Sequence, residues 1–312
     1  MTIALKTTTL SRSGLAVPAL CFGTSGLGSM PDTYGYAVDD ARARATLDAI
    51  LDGPVKFIDT SRNYGMGRSE QRIGEALKAR GGLPKGFIVS TKLDRDADNR
   101  FDGAQARRSL EESLKALGLA SIDMLHLHDP EYAADLSEVT KKGGAIDALM
   151  KMKEEGLCRA IGLAAGRTDI MMPLLRDYDF DVLISHNRYT LLNQHAVPMF
   201  ELAKARNVAV INAAPKQPLY SYMPASDDIK SRADGIEHLC AKYGVPMGAA
   251  ALQFSLRSPH VASTIIGVTS PERVKQTMDW AAHAIPEALW KDLAALPVDM
   301  GDPEATRVYK LG

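Results

Sequence analysis

The sequence predicts an α/β protein folded as one (β/α)8 TIM barrel, with an N-terminal β-hairpin plug and long βα-loops at its C-terminal face. Three observations carry that expectation. Short β-branched or apolar runs alternate with longer amphipathic ones, the pattern of βαβ units and a parallel sheet. Eight such short runs follow one another without a break in composition, an internal repeat or a linker. The length of 312 residues, at roughly 150 per domain, would suggest two domains, but an α/β barrel spends such a length on one, so residues 1–312 are expected to form a single domain.

The expected strands cover residues 19–23, 55–58, 87–90, 124–127, 159–163, 182–185, 208–212 and 263–266. Residues 7–17, with Ser13-Gly14 between two short runs, read as the hairpin that plugs the bottom of the barrel. Apolar residues at helical spacing predict helices over 39–51, 68–79, 104–117 and 145–155, and over 236–243 and 247–256 in the last gap. Ser270 is an N-cap candidate ahead of Pro271, a residue suited to the first helical position. Gly118 stands where a left-handed C-cap belongs. Long loops at 129–144 and 213–233 would rise from the C-terminal face, where catalytic groups of such barrels collect.

Composition narrows the partners. Thirty-seven basic and 38 acidic residues leave a net charge of −1 with no block of one sign, so neither a nucleic-acid footprint nor a polybasic membrane patch is expected. No apolar run approaches the ~18 residues of a spanning helix, and the first ten residues lack the pattern of a signal peptide. Cys21, Cys158 and Cys240 are odd in number and far apart, which speaks against a disulfide framework and for a reducing compartment. The expectation is a cytoplasmic protein acting on a small molecule.

Several short motifs fail on inspection. Glu70 occupies the sixth position of the run that starts at Gly65, so the G-x-G-x-x-G of a Rossmann turn is absent there. Asp94, Asp96 and Asp98 imitate the start of a calcium loop, but Asn99 replaces its glycine and Gln105 its bidentate glutamate, so a solvated loop is expected. With no HExxH and no CxxC, no metal site is expected.

The informative residues stand at strand ends. Asp59 follows the second strand, with Tyr64 in the loop beyond it; Lys92 follows the third strand and His128 the fourth. Singly these are a turn cap, a loop aromatic, a surface charge and a structural histidine. Together, at successive strand C-termini, they would converge on one mouth, and buried charge is costly unless paired or used. An ammonium at Lys92 beside Tyr64 favours the phenolate, and Asp59 holds that ammonium charged. Such a tyrosine can protonate a carbonyl oxygen or take the proton of an alcohol, while His128 hydrogen-bonds the same oxygen. This machinery moves a proton and supplies no electrons, so a hydride cofactor is its natural complement.

These residues resemble the aldo-keto reductases. Phe57-Ile58-Asp59-Thr60-Ser61-Arg62-Asn63-Tyr64-Gly65, with Ser69-Glu70 and residues 73–77, looks like the family signature. Val89-Ser90-Thr91-Lys92 looks like its lysine strand, residues 123–130 like its histidine strand, and 265–273 like its distal cofactor segment. The resemblance covers nearly the whole chain. It implies a barrel that binds a nicotinamide cofactor without a Rossmann domain, Tyr64 as acid/base, and Asp59, Lys92 and His128 in support. It also implies cofactor contacts at Gly23, Thr24, Asp59, His186, Ala214, Pro215, Ile266, Gly267, Thr269, Arg273, Gln276 and Thr277. His126 falls on an apolar family position and shares a strand face with His128.

The departures are informative. The family's Ser-Asn pair for the nicotinamide carboxamide falls on Ala164-Ala165, its carboxamide glutamine on His186, and its stacking tyrosine on Ala213. Residues 212–215 and His128-Asp129-Pro130 look like the sugar-oxidising branch, with pyridoxal oxidation as a neighbouring activity. The lysine that favours NADP falls on Gly267 and the family's alternative arginine on Thr269, so NAD is favoured over NADP, with Arg273 available to a phosphate. Asp129 is either a turn residue before Pro130 or, with Tyr34 as a further wall, an acceptor for several substrate hydroxyls. The leading expectation is oxidation of a polyhydroxylated aldose at C1 to its lactone. The alternatives are NADPH-dependent reduction of aldehydes or ketones, pyridoxal oxidation, a non-catalytic cofactor-binding barrel, and a Schiff-base enzyme using Lys92.

Overall fold

A computed structural model describes residues 6–213, 221 and 224–305; Ala214 and Pro215 lie outside the described residues. The hairpin strands β1 (Thr7–Thr9) and β2 (Ala16–Pro18) pair antiparallel. Eight further strands are β3 (Leu20–Gly23), β4 (Phe57–Asp59), β5 (Ile88–Leu93), β6 (Ile122–His128), β7 (Cys158–Ala165), β8 (Val182–His186), β9 (Ala209–Ala213) and β10 (Val261–Gly267). They close into a parallel barrel in chain order, β10 pairing with both β9 and β3. The described helices are α1 (Pro31–Tyr34), α2 (Asp40–Asp52), α3 (Arg68–Ala79), α4 (Gly103–Leu117), α5 (Leu136–Thr140) and α6 (Ala145–Glu154), then α7 (Thr168–Asp177), α8 (Val197–Ala205), α9 (Asp227–Lys242), α10 (Met247–Leu256), α11 (Pro271–Ala282) and α12 (Glu287–Ala294).

Strand alternation sorts the apolar residues into two sets. Cys21, Phe57, Ile88, Met124, Ala160, Val182, Ile211 and Ile265 fill the barrel, where Leu10, Leu15 and Val17 of the hairpin region pack against them from below. Phe22, Ile58, Val89, Leu125, Leu127, Ile161, Leu163 and Leu183 face outward onto the helices. Burying each such aliphatic or aromatic side chain contributes roughly 1.5–3 kcal/mol. The plug is therefore a packed floor, and the polar positions of the same inward face are left to the open end.

Local signals behave as their chemistry requires. The Ser270 hydroxyl accepts from the Arg273 N–H at 3.3 Å, with Pro271 opening α11. Gly118 ends α4 at φ +68°. Two helices carry weaker signals: α7 has Pro173 in its interior, and α8 is a short apolar run that reads equally as strand. α9 begins at Asp227, capped by Ser226, so the second rim loop is shorter than residues 213–233. The first rim loop is not bare either, since it carries a 3-10 turn at Pro130–Tyr132 and the short α5. All three cysteines are buried free thiols, and burial pushes Cys158 up to about 12.

Candidate active site

The inward face of three adjacent strands changes from apolar to charged toward the C-terminal end. On β4 the alternation runs Phe57, Asp59; on β5 it runs Ile88, Ser90, Lys92 and continues to Asp94; on β6 it runs Met124, His126, His128. Register sets Asp59 beside Ser90 and Lys92 beside His126.

The Lys92 ammonium donates to Asp59 Oδ1 and to the Thr60 carbonyl, each at 2.6 Å. Ser90 donates to the other Asp59 oxygen at 2.7 Å. Both charged side chains are at most 4% exposed, so each is stable there only because the other is present. Above them stands Tyr64, its ring centre 4.9 Å from Lys92 Nζ and 6.0 Å from the His128 ring, edge to face.

Glycine places the tyrosine. Gly65 has φ +61°, and a Cβ there would lie 2.0 Å from the Gly28 carbonyl oxygen; a Cβ on Gly28 would lie 2.7 Å from the Tyr64 backbone. The loop bearing Tyr64 therefore rests directly on the backbone that follows β3.

His128 is held from below. Its Nδ1 lies 2.5 Å from Asp94 Oδ1, while Asp94 Oδ2 accepts from the Ser61 hydroxyl at 2.7 Å and the Asn63 N–H at 3.0 Å. Asp94 is fully buried, not the solvated loop residue expected from the alternating aspartates. Burial opposes its ionisation, but the His128 charge and hydrogen bond, then the Ser61 bond, lower its pKa overall. Burial likewise opposes a charged His128, yet Asp129 and Asp94 outweigh it and raise that pKa above its ordinary value.

His126 lies deeper, fully buried, with no hydrogen-bond partner on either ring nitrogen among the described residues. Burial first, then Lys92 and His128, hold its pKa well below the ordinary histidine range, so the ring is neutral. Opposite it, a Cβ on Gly162 would come within 2.3 Å of its Nδ1, so the glycine makes room for the ring.

A cavity of about 730 Å³ opens on these groups. Asp59, Tyr64, Lys92 and His128 border it together. On one side it is walled by Gly23, Ala164, Ile184, His186, Ala213 and Ile265, and it runs on to Gly267, Val268 and Thr269 before α11. On the other side it meets Tyr34, Tyr36, Arg62, Asn63, Arg95, Arg108 and Asp129. Asp129 adopts φ +44°, its carbonyl accepting from Arg95 at 2.6 Å and its carboxylate 3.7 Å from His128 Nε2.

Thr24, Ile266, Arg273, Gln276 and Thr277, also expected to touch the cofactor, are not among the residues that line this cavity. Thr24 is buried behind its wall, donating to the Asp59 carbonyl at 2.9 Å and bonded to Ser69. Ile266 packs outward among the helices. Arg273 lies over the Trp280 ring, 5.1 Å from its centre, and donates to Gln276; Thr277 is buried, bonded to the Arg273 carbonyl at 2.8 Å. Two groups that the sequence did not single out also belong here. Arg42 donates to the Thr269 carbonyl at 2.6 Å, bringing a guanidinium to the same end. Glu304 reaches back to within 3.3 Å of His186 Nδ1.

The residues present suit a nicotinamide nucleotide. The small apolar wall of Ala164, Ile184, Ala213 and Ile265 leaves a slot for a flat ring beside the ionic cluster. Arg42, at the Thr269 carbonyl, and Arg273, on the first turn of α11, are guanidinium donors for phosphate. The cavity reaches Thr269, whose carbonyl Arg42 holds.

A (β/α)8 barrel with a buried lysine–aspartate pair beneath a tyrosine at its mouth defines a class of barrel oxidoreductase. The model of the aldo/keto reductase family matches residues 19–297, and the chain belongs to that family of NAD(P)-dependent oxidoreductases. It is 34% identical to a D-threo-aldose 1-dehydrogenase from a Pseudomonas species, over 90% of this chain and 94% of the relative. It is 31% identical to the pyridoxal 4-dehydrogenase of Microbacterium luteolum (91% and 95% covered) and to the L-galactose dehydrogenase of Arabidopsis thaliana (86% and 86% covered). The fold is that of an aldo-keto reductase from Bacillus halodurans in its holo form, with a TM-score of 0.75 at 22% identity over 93% of this chain and 95% of that one. No helix among the described residues is long and apolar enough to cross a membrane.

Proposed function

We propose that this oxidoreductase oxidises an aldose at C1 to its lactone, with NAD as the favoured acceptor and Tyr64 as the proton-transferring group. The observation that carries this reading is the convergence of Tyr64, His128 and the buried Lys92–Asp59 pair on one cavity. The bound nicotinamide would accept the hydride from C1. Tyr64, kept near an ammonium that Asp59 and Thr60 hold in place, takes the hydroxyl proton, while His128 hydrogen-bonds the same oxygen. His186, Gly267 and Thr269, with the Arg42 and Arg273 guanidinium groups, are the groups that would hold the cofactor.

The polar wall supports a substrate rich in hydroxyls. Asn63 and Asp129 supply donors and acceptors to the cavity that hydroxyls of a sugar could use. Similarity to an aldose and an L-galactose dehydrogenase points the same way. The absence of a lysine at position 267 favours NAD.

A panel of aldoses, pyridoxal and simple aldehydes, followed by NAD(P)H absorbance with each cofactor, tests the reading. The expected result is kcat/KM highest for an aldose with NAD. Aldehyde reduction exceeding every oxidation would replace it with the reductase alternative. Tyr64→Phe should lower kcat by about 10²–10⁴-fold, the usual contribution of a positioned proton donor, with cofactor affinity unchanged. A variant within a factor of about three of wild type would remove Tyr64 from its role.

A further inference from the structure

Asp94 has no part in the chemistry described so far, yet it is a fully buried carboxylate spent on one imidazole. An ion in such a place is stable only if both its oxygens are hydrogen-bonded or paired. Oδ2 takes two donors, the Ser61 hydroxyl and the Asn63 N–H, and both come from the loop that carries Tyr64. Oδ1 faces His128 Nδ1 at 2.5 Å. A carboxylate flanked in this way can only accept, so Nδ1 must donate. The tautomer of His128 is thereby fixed, with Nε2 turned toward the cavity and Asp129.

We propose that Asp94 is a positioning residue that fixes the Nδ1–H of His128 and leaves Nε2 as the ring's titrating atom, so that the protonated ring meets the substrate oxygen as an Nε2–H donor. The inference rests on the reading of Tyr64 as the proton acceptor and adds the orientation of the hydroxyl. When Nε2–H donates to the C1 hydroxyl oxygen, the hydroxyl hydrogen is left to point at Tyr64. A neutral ring with the same fixed Nδ1–H would present a lone pair instead. It would draw that hydrogen to itself and away from Tyr64. The neutral tautomer that carries its proton on Nε2 is denied to this protein as long as Asp94 is ionised.

The surroundings agree. Acting on His128 are Lys92 from β5 and Asp94 just beyond that strand, Asp129 from its own strand end, Tyr64 from the loop above and neutral His126 from below; Arg95 is engaged with the carbonyls of residues 128 and 129. Burial and Lys92 work against the charged ring, and the two aspartates prevail, raising the pKa. The consequence is a kcat/KM for oxidation that falls as pH rises through the His128 pKa, a limb whose position Asp94 sets.

The test is nitrogen-15 NMR titration of the histidine rings in the intact protein without substrate or cofactor, His128 being assigned by its loss in His128→Gln. Wild type is expected to show Nδ1 protonated throughout and an elevated pKa. Asp94→Asn is expected to lower that pKa by about one unit or more, a tenfold loss of proton affinity. It should also move the alkaline limb of the kcat/KM profile to lower pH by the same amount, with the NAD(P)H dissociation constant unchanged. Should Asp94→Asn fail to fold, the wild-type shifts alone decide, since they report the tautomer directly. A wild-type ring protonated on Nε2 when neutral, or a pKa and profile unmoved by Asp94→Asn, would overturn the inference. Because the titration needs no turnover, it stands even if the substrate panel contradicts the aldose reading.

Discussion

The two halves of the barrel mouth are built on opposite plans. The ends of β4, β5 and β6 carry Asp59, Lys92, Asp94, His126 and His128, all buried or nearly so, with Lys92 joined to Asp59 at 2.6 Å and His128 to Asp94 at 2.5 Å. The ends of β7 to β10 offer Ala164, Ala165, Ala213 and Gly267, with His186 as the polar exception. Proton transfer needs charges fixed in a low-dielectric pocket before the substrate arrives. A slot for a flat cofactor needs the reverse, small side chains and backbone donors. The contrast teaches that the reacting half is defined by what is packed into it, and the cofactor half by what has been removed.

The sharpest way to break the first half is to take out one charge. Lys92→Met leaves Asp59 buried with only the Ser90 hydrogen bond, and breaking a buried pair costs about 3–5 kcal/mol. Urea unfolding should show that loss, together with loss of turnover. A loss below about 1 kcal/mol would mean that the cavity hydrates Asp59 and that the ionic cluster is not a rigid unit.

The second effect lies just behind the same half. Glu70 on α3 is buried against the outer face of β5, where Thr91 donates to it at 2.5 Å. Burial raises its pKa from 4.5 to about 7, against the pull of the Thr91 bond. The folded pKa is therefore above the unfolded one. Its contribution to stability is complete below pH 4.5 and is lost as pH rises through about 7. That loss amounts to at most roughly 3 kcal/mol. The unfolding free energy of wild type should fall between about pH 5 and pH 8 relative to Glu70→Gln, which keeps the shape without the titration. Parallel curves would show that Glu70 is ionised or hydrated throughout.

Much of the reacting half was legible in the sequence, because β-strand alternation is a strict rule. Once Asp59, Lys92 and His128 are placed at strand ends, parity alone turns them inward. The same parity carries Lys92 to Asp94, but Asp94 stood in a run with Asp96 and Asp98 that reads as a polar turn. Asp96 does serve that turn, accepting from the Asp98 and Arg100 N–H groups, which made its neighbour look alike. His126 could be placed on the inner face; the space that Gly162 leaves for it could not, since nothing local links the two residues. The cofactor half was legible chiefly as departures from a resemblance. Its structural partner, Glu304, lies 117 residues from Asn187, and no periodicity spans such a separation.

That partner gives the means to test the cofactor half in isolation. Glu304 accepts from Asn187 at 2.7 Å and stands 3.4 Å from Arg188, which is itself fully buried and also paired with Asp302 at 2.7 Å. Burial opposes its ionisation, but His186, Arg188 and Asn187 together hold its carboxyl well below the usual range. It is thus a fixed anion behind His186, the polar side chain on the slot wall. Glu304→Gln keeps the size and removes the charge, so His186 loses the group that orients its ring. NAD(P)H affinity, read by fluorescence titration, should fall about tenfold, or roughly 1.4 kcal/mol. Arg188 keeps Asp302, so unfolding should be affected less than in Lys92→Met, and the His128 titration should not move. If stability drops while affinity holds, Glu304 anchors the segment around residues 302–304 and His186 is not a cofactor ligand. If the His128 titration moves as well, the two halves are coupled and the division between them fails.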